Sequence, residues 1–376
     1  MTECERVSVR LIVVGGFFAA GKTTTVLRLA DFFRERGQRV GVVANDQASD
    51  LVDTGTFRSA GLPTAEVAGG CFCCRFDDFV ARAGELIEAG DPAVIIAEPV
   101  GSCTDLVATV INPLRRLHRD RFHIAPFTVL VDPLRALKLL GGAEPIGLSP
   151  RVTYIYRMQQ QEADAIAINK IDRLEPAERA RVRELVGDRC PGREVFEFSA
   201  RTGEGFDRWL SWMDANAAAG AAVSDVDYGI YAEGEAELGW LNSRVALEAA
   251  APLAIDDSVM SLGRAIQEAL AAARLEIAHA KMWMTANGRD AVVNIVDATA
   301  PPELSRRSET AATALALTIN VRAQADPLVL ADLVRRGLQQ WTETHGLTIV
   351  SGSGECFKPP PPVPTHRMPT DAPPAV

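Results

Sequence analysis

Residues 16–23 read GFFAAGKT, which fits the phosphate-binding pattern G-x-x-x-x-G-K-[ST]. The segment follows an apolar stretch and opens a helical pattern, which is the context that such a loop requires. Its glycines permit a backbone curl whose N–H groups point at phosphate oxygens, while Lys22 would reach the β and γ phosphates and the Thr23 hydroxyl would bind Mg²⁺. The alternative is a chance glycine-rich turn. The predicted nucleotide-binding residues of this loop are Gly16, Ala19, Ala20, Gly21, Lys22, Thr23 and Thr24.

A second polar cluster, NKID at residues 169–172, follows another apolar stretch. It fits the guanine-selecting pattern N-K-x-D, because the Asp172 carboxylate can accept from both guanine N1–H and the 2-amino group. Adenine offers neither donor, and the lost bond would cost about 1–3 kcal/mol. The alternative is a polar helix start with Asp172 as its cap. With the strand-ending pair at residues 199–200, the predicted base-binding residues are Asn169, Lys170, Asp172, Ser199 and Ala200.

Acidic residues follow two further apolar stretches, at Asp46 and Glu98. In a parallel sheet both would lie near a bound triphosphate and its Mg²⁺. A carboxylate in that place can hold metal-bound water or orient the attacking water, so we predict catalytic roles for Lys22, Asp46 and Glu98. The backbone N–H of Gly101, three residues after Glu98, would sense the γ phosphate. The alternative for both carboxylates is a capping or loop role.

Three cysteines, Cys71, Cys73 and Cys74, crowd into four positions directly after two glycines. Thiolates are soft ligands that suit Zn²⁺ and related transition metals. Three of them leave one position of a tetrahedral site open, which favours a metal-docking site over a closed structural one. The alternative is a group of buried free cysteines.

A further cysteine, Cys103, follows Gly101 by two residues, in a segment that would move with the γ phosphate. One interpretation is that Cys103 supplies or withdraws a fourth ligand as the nucleotide state changes. The interpretation that we favour from sequence is a small apolar residue packed near the start of a helix. Cys356 and His366 flank a proline run and are weaker candidates for metal ligands.

Apolar, β-branched stretches recur through the first 200 residues, with helix-period segments between them. The predicted strands are residues 8–14, 39–44, 93–97, 125–131, 163–168 and 194–198, and predicted helices include 23–36 and 177–185. Strands that are apolar throughout and separated by helices indicate a mostly parallel sheet covered on both faces. Ligands of such sheets bind at the carboxyl ends of the strands, where the motifs described above lie.

The rest of the chain indicates a smaller α+β domain. Its predicted elements are a strand at 231–241, a helix at 258–275, a hairpin of 277–285 with 291–296, a strand at 314–322, a helix at 327–344 and a strand at 347–350. The hairpin prediction rests on an Asn-Gly turn. The overall prediction is an α/β P-loop domain with its cysteine motif at 1–215, a linker at 216–227, the α+β domain at 228–354 and a Pro-rich tail at 355–376.

The composition, 47% hydrophobic and 23% charged residues in 376, is ordinary for a globular protein. The net charge of −10 argues against a broad nucleic-acid or anionic-membrane surface. No apolar stretch approaches the ~18 residues of a membrane span, and the N-terminal apolar run is too short for a signal peptide. We therefore expect a soluble, cytoplasmic protein with neither nucleic-acid nor membrane partners.

Together, the segments GGFFAAGKTT, AGGCFCCR, EPVG and INKID resemble the motifs of the CobW-type metallochaperone GTPases, which are relatives of the nickel-insertion GTPases for hydrogenase and urease. The resemblance covers about residues 8–215. It implies binding of GTP, GDP and Mg²⁺, a Zn²⁺-class or other transition metal on the cysteine triplet, and slow GTP hydrolysis coupled to metal delivery to a client metalloprotein. The EPVG segment departs from the small hydroxyl residues of many relatives, so the metal and the client stay open.

Two other functions compete with a metallochaperone. One is a regulatory or assembly GTPase in which the cysteines are structural. The other is a P-loop kinase, against which both the NKID segment and the cysteine triplet argue. The oligomeric state stays open, with a homodimer as one alternative.

Overall fold

The computed structural model describes residues 8–45, 47, 52–142, 146–216 and 223–369. The chain divides into two compact units. The first comprises residues 1–49, 53–231 and 362–376, and the second comprises residues 50–52 and 232–361. None of the described helices has the length and apolar character needed to cross a membrane.

The first unit is built on a parallel sheet. Its strands are β1 (Val9–Gly16), β2 (Val40–Asn45), β3 (Thr64–Val67), β4 (Val94–Glu98), β5 (Phe122–Ile124), β6 (Thr128–Val131), β7 (Ala165–Ile168) and β8 (Glu194–Glu197). The strand order is β3-β2-β4-β1-β6-β7-β8, and β5 pairs with β1. Strands β2, β4, β6 and β7 are buried throughout, which fits a sheet covered on both faces.

Helices alternate with these strands along the chain. They are α1 (Lys22–Glu35), α2 (Val52–Ser59), α3 (Phe76–Gly90), α4 (Asn112–Leu117), α5 (Pro133–Leu140), α6 (Pro150–Gln161), α7 (Pro176–Arg189) and α8 (Phe206–Ala215). A π-helical turn, Val107–Ile111, precedes α4, and a short 3₁₀ turn, Ile171–Arg173, follows β7. The predicted α/β fold class of this part is confirmed.

The second unit carries an antiparallel sheet. In chain order its elements are α9 (Tyr228–Ala236), which begins in the first unit, β9 (Leu238–Ala254), α10 (Ile255–Ala272), β10 (Ile277–Ala286), β11 (Arg289–Ile295), β12 (Glu303–Arg306), β13 (Ala311–Gln324), α11 (Pro327–Thr344) and β14 (Leu347–Phe357). The strand order is β12-β11-β10-β13-β9-β14. The hairpin of β10 and β11 turns at Asn287 and Gly288, whose φ angles of 53° and 71° are those of a tight turn.

Two predicted elements differ from the structure. Residues 231–236, predicted as strand, are helical in α9, because the Asp227 side chain accepts hydrogen bonds from Gly229 N at 2.8 Å and Ile230 N at 3.1 Å and so starts a helix. Of the predicted strand at 125–131, only Thr128–Val131 forms a strand, β6. A separate short strand, β5, comes before the predicted start, and the two strands pair with different parts of β1. In addition, β14 continues past the predicted strand end to Phe357 because its residues pair with β9 along that length.

Candidate functional site

The carboxyl ends of β1, β4, β7 and β8 lead directly into the predicted nucleotide-binding segments. Because these strands are parallel, the segments meet at one edge of the sheet. The apolar strands are fixed by burial on both faces, so the polar residues that follow them are held on a rigid support.

The phosphate loop connects β1 to α1. Gly21 caps α1 with a φ of 92°, a left-handed conformation that side chains other than glycine's adopt only with strain. Lys22 is buried, and its ammonium group donates to the carbonyl oxygens of Gly16 at 2.9 Å and Phe17 at 3.3 Å. Ala19 and Ala20 form the bend of the loop, and Thr24 lies exposed in the first turn of α1. The loop therefore has the curled backbone and buried lysine that phosphate binding needs.

The Thr23 hydroxyl lies between two carboxylates. Its oxygen lies 2.7 Å from Asp53 Oδ1 and 3.1 Å from Glu98 Oε1, and its single proton can be donated to either carboxylate. Hard oxygen ligands of this kind suit Mg²⁺. Glu98 was predicted for this place, but Asp53, on α2, was missed, since no motif or spacing marks it. The other predicted acidic residue, Asp46, lies outside the described residues.

Asn169 ties the predicted base-binding segments to the phosphate loop. Its side-chain amide donates to Ala20 O at 2.9 Å, and its oxygen accepts from the backbone N–H groups of Lys170 and Ala200 at 2.8 and 2.9 Å. The fully buried Ser199 holds the turn after β8 by accepting from Thr202 N at 3.0 Å. One buried side chain thus connects three of the predicted motifs.

The two charged residues of the NKID segment have different surroundings. Lys170 donates to Ala19 O at 2.7 Å and pairs with the buried Asp132 at 3.0 Å, so its stem runs along the phosphate loop. Asp172 forms an ion pair with Arg201. The partner of the Asp172 carboxylate is thus an exposed guanidinium.

Gly101 lies against the phosphate loop. A Cβ atom at this position would come within 2.5 Å of the Phe18 ring, so the close approach requires glycine. The buried Gln159 side chain, from α6, donates to the carbonyl oxygens of Gly101 and Cys103, both at 2.9 Å. The segment after Glu98 is therefore held at fixed points on both sides.

The cysteine loop is clamped by Asn45, the last residue of β2. The Asn45 amide donates to Val67 O at 2.9 Å and Gly70 O at 2.8 Å, and its oxygen accepts from Phe72 N at 2.9 Å. This residue was not predicted to have a role, since asparagine at a strand end has no distinctive spacing. It fixes the cysteine loop to the strand whose end faces the nucleotide site.

The thiols of the triplet converge. The Sγ atoms of Cys71 and Cys73 are 2.7 Å apart, those of Cys71 and Cys74 are 3.2 Å apart, and those of Cys73 and Cys74 are 3.8 Å apart. Cys71 and Cys73 are buried, Cys74 is half-buried, and none of the described cysteines forms a disulfide. These three residues form the candidate metal group found among the described residues.

Cys103 is also buried, and its thiol hydrogen-bonds with those of Cys71 and Cys73. Hydrogen bonds from Cys103, and then from Cys73 and Cys74, lower the pKa of the Cys71 thiol well below its usual range. The same contacts raise the pKa of Cys73, and the bond with Cys71 contributes most to a Cys74 pKa of about 11. Cys71 is thus the first thiol of the triplet to ionise, and the Cys103 thiol is in hydrogen-bond contact with two of the three cysteines.

A family model of the CobW/HypB/UreG nucleotide-binding domain matches residues 10–197. A hydrogenase maturation factor HypB of Azotobacter chroococcum mcd 1 is 26% identical over 197 residues, which cover 52% of this chain and 56% of that relative. The chain therefore spans about half the length of this curated relative.

Solved structures with similar folds include two metal-bound proteins. HypB from Helicobacter pylori in complex with nickel has 18% identity and a TM-score of 0.41, covering 58% of this chain and 92% of that one. The Zn(II)-bound YjiA GTPase from E. coli has 14% identity and a TM-score of 0.38, covering 89% of this chain and 99% of that one. The family model itself spans half of the chain, from β1 to β8, and includes the phosphate loop, the cysteine triplet and the NKID segment. The chain belongs to the CobW/HypB/UreG family of P-loop GTPases.

Proposed function

We propose that this protein is a metallochaperone that hydrolyses GTP and passes a Zn²⁺-class metal from its cysteine triplet to a client metalloprotein. The observation that carries the proposal is the short covalent path between the two sites. Glu98, next to Thr23, and Cys103, next to the triplet, are separated by four residues held by Gln159. A nucleotide-dependent shift of this segment would reach the thiols directly.

The nucleotide chemistry follows from the side chains at the sheet edge. Lys22 would exchange its two backbone carbonyl partners for phosphate oxygens and stabilise the charge that develops during phosphoryl transfer. Thr23, with Asp53 and Glu98, would hold Mg²⁺, which neutralises phosphate charge when bound. Asp172 would select guanine, and Asn169 would keep the base pocket in register with the phosphate loop.

The triplet fits a soft metal cargo. With Zn–S bonds of about 2.3 Å, the sulfur atoms of a tetrahedral site lie about 3.8 Å apart. The Cys73–Cys74 pair already has this separation, and the Cys71–Cys73 pair would open by about 1 Å on binding. Zn²⁺ and other thiophilic transition metals meet this description equally, so the identity of the cargo stays a prediction, as do the client and the cytoplasmic location.

One observation favours the alternative, a regulatory or assembly GTPase with structural cysteines. Cys71 and Cys73 are only 5% and 1% exposed, and a buried thiolate site holds its metal rather than releasing it. The two functions differ in one property, which is whether metal affinity depends on the bound nucleotide.

Zinc titration against a chromophoric chelator, in GDP and in a non-hydrolysable GTP analogue, separates the two functions. A chaperone should show a difference in zinc affinity of roughly fivefold or more between the nucleotide states. The Cys190→Ser variant is the matched control, because Cys190 is buried in the same unit and hydrogen-bonds to Gln160 rather than to the triplet. Equal affinities in both states would favour the structural role.

A further inference from the structure

The cysteine group draws its thiols from two separate parts of the chain. Cys71, Cys73 and Cys74 come from the loop before α3, and Cys103 comes from the turn that follows β4. The Cys103 backbone is fixed on both sides, since its N–H donates to Val100 O at 3.0 Å and its carbonyl accepts from Gln159. Its side chain is therefore aimed at the triplet by a hydrogen-bonded turn.

Packing alone does not account for this arrangement. Thiols are weak donors and weak acceptors, and a core residue chosen for size would gain more from a branched aliphatic side chain. Here Cys71 and Cys73 each hydrogen-bond with Cys103 as well as with each other. Four sulfur atoms gathered from two separate segments of the chain are the donor set of a tetrahedral Cys₄ zinc site.

We propose that Cys103 is a fourth metal ligand, and that its place after Gly101 lets the nucleotide state add or remove one thiolate. The inference rests on the proposed function and deepens it. With four thiolates the metal is retained, and with three it has an open position through which a client ligand can enter. The Gly101 backbone, which contacts the phosphate-loop residue Phe18, is the element that would transmit the change.

Cobalt(II) titration of the Cys103→Ser variant tests the assignment, because the sulfur-to-cobalt charge-transfer absorption scales with the number of thiolate ligands. We expect the absorption of the variant to fall by about a quarter and its dissociation constant for zinc to rise roughly tenfold or more. Cys190→Ser should change neither. If a serine in the core prevents folding, Cys103→Ala replaces Cys103→Ser in the titration, because it removes the thiol and keeps the position apolar.

The outcomes separate this inference from the proposed function. If the unmodified protein binds cobalt with the spectrum of three thiolates both in GDP and in a non-hydrolysable GTP analogue, or if Cys103→Ser leaves spectrum and affinity unchanged in both states, Cys103 is not a ligand while the chaperone function stands. If the unmodified protein binds neither cobalt nor zinc, the chaperone function fails as well.

A second, independent observation concerns the C-terminal segment 362–369, which we call the strap. It belongs to the first unit and lies on the cysteine loop. Val363 N donates to Cys74 Sγ at 3.2 Å, and Thr365 donates through its N–H to Cys73 O at 2.8 Å and through its hydroxyl to Cys74 O at 3.2 Å. The His366 ring packs edge-on against Phe76, 5.0 Å between centroids.

The strap is also fastened beyond the cysteines. The Met368 N–H donates to Ala108 O at 2.7 Å, and the Met368 carbonyl accepts from the Asn112 side-chain amide at 2.9 Å. Arg367 pairs at 2.7 Å with Asp105, whose side chain is fully buried and also accepts from Tyr228. Asp105 is two residues after Cys103 and has a φ of 62°, an uncommon conformation that the surrounding bonds must maintain.

The geometry points to the strap as a lid that controls access to the cysteine site, with the Arg367–Asp105 pair as its latch. The strap covers the half-buried member of the triplet, Cys74, so metal entry and release would require it to lift. Its latch lies on the same segment as Gly101 and Cys103. The lid would therefore respond to the same nucleotide-dependent movement as the proposed fourth ligand.

Thiol labelling in the absence of metal tests the lid directly. We compare the unmodified chain with a chain ending at Pro361 and with Arg367→Ala, following modification of each cysteine by mass spectrometry. Both changes should raise the labelling rate of Cys73 and Cys74 about tenfold or more, since they increase the population of the open form. Cys190 serves as an internal standard, and Arg335→Ala, which breaks an exposed ion pair with Asp332, is the matched control.

Arg367→Ala leaves the buried Asp105 without its cation, and this could unfold the chain. The double variant Asp105→Asn with Arg367→Ala removes both charges together and should label as fast as the truncated chain. Unchanged labelling rates in the truncated chain and in the double variant would rule out the lid. Because no metal or nucleotide enters the assay, strap-dependent labelling in a protein that binds no zinc would retain the lid and reject the chaperone.

Discussion

The nucleotide site and the cysteine site are built in opposite ways. The nucleotide site is assembled at the ends of parallel strands, and each predicted segment is held by side chain-to-backbone bonds such as those of Asn169 and Lys22. The cysteine site has a local triplet but is completed by distant residues, namely Asn45, Cys103 and the strap. Short motifs therefore specify the first site, whereas the tertiary fold specifies the second.

The difference has a functional meaning. A triphosphate is bound mainly by backbone N–H groups and one lysine, so the same loop can serve any P-loop protein. A metal cargo must be held and then released, which requires ligands on elements that can move relative to each other. Drawing thiols and covering segments from separate parts of the chain meets that requirement.

The largest effect should come from Lys22→Ala. It removes the charge that would stabilise the transferring phosphoryl group, so GTP turnover should fall roughly 100-fold or more. Zinc affinity in the GDP state should stay within about twofold, because Lys22 lies in the phosphate loop and donates to the backbone carbonyls of Gly16 and Phe17 in that loop. Normal turnover would show that the loop assignment is wrong, and a lost zinc site would show that the two sites are not separable in this way.

Asp172→Asn should have the next largest effect. An amide presents a donor where guanine also presents one, so the affinity for GTP should fall by about 1–3 kcal/mol, or roughly 5- to 150-fold. The affinity for xanthosine triphosphate should rise, because xanthine presents an acceptor in place of the 2-amino group. Binding is measured by competition with a fluorescent nucleotide, with Asp207→Asn, on α8, as the control. Equal affinity of the unmodified protein for ATP and GTP would contradict the base-pocket assignment.

The sequence predicted the fold class and the meeting of the phosphate loop, Glu98 and Asn169 at one sheet edge, because apolar strands and glycine turns have strong local patterns. Asp53 could not be found, since a half-buried carboxylate in the first turn of a helix has no spacing rule. The strap could not be found either. A proline-rich run predicts an extended backbone, but which surface it covers depends on hydrogen bonds such as Thr365 N to Cys73 O.

Glu162 offers the finest test of how the two sites are linked. This fully buried residue accepts from Val107 N at 2.9 Å and Thr104 Oγ1 at 3.4 Å, and so lies under the segment that carries Cys103 and Asp105. Burial, helped by the neighbouring Asp105 carboxylate and opposed by its hydrogen bonds, raises the pKa of Glu162 to about 8. In the folded protein at neutral pH, Glu162 is therefore mainly a neutral acid.

The sign of the pH dependence follows from this shift. The folded state binds the proton more tightly than the unfolded state, so the stability that Glu162 contributes is complete below about pH 4.5 and is lost as the pH rises towards 8. Glu162→Gln keeps the acceptor oxygen and has no proton to lose. Between pH 6 and pH 8.5 the stability of the variant should rise by about 2–3 kcal/mol relative to that of the unmodified protein, seen as several degrees in Tm of the first unit.

Melting curves at both pH values, with the exposed Glu88→Gln on α3 as the control, measure this difference. Since all other titrating groups are common to the two proteins, their contributions cancel. A gain in Tm that is accompanied by slower labelling of Cys73 and Cys74 at pH 8.5 would mean that the neutral acid holds the Thr104–Val107 segment, and with it the latch residue Asp105, in place. Equal Tm differences at both pH values would mean that Glu162 ionises normally and that its proton plays no part in holding the segment.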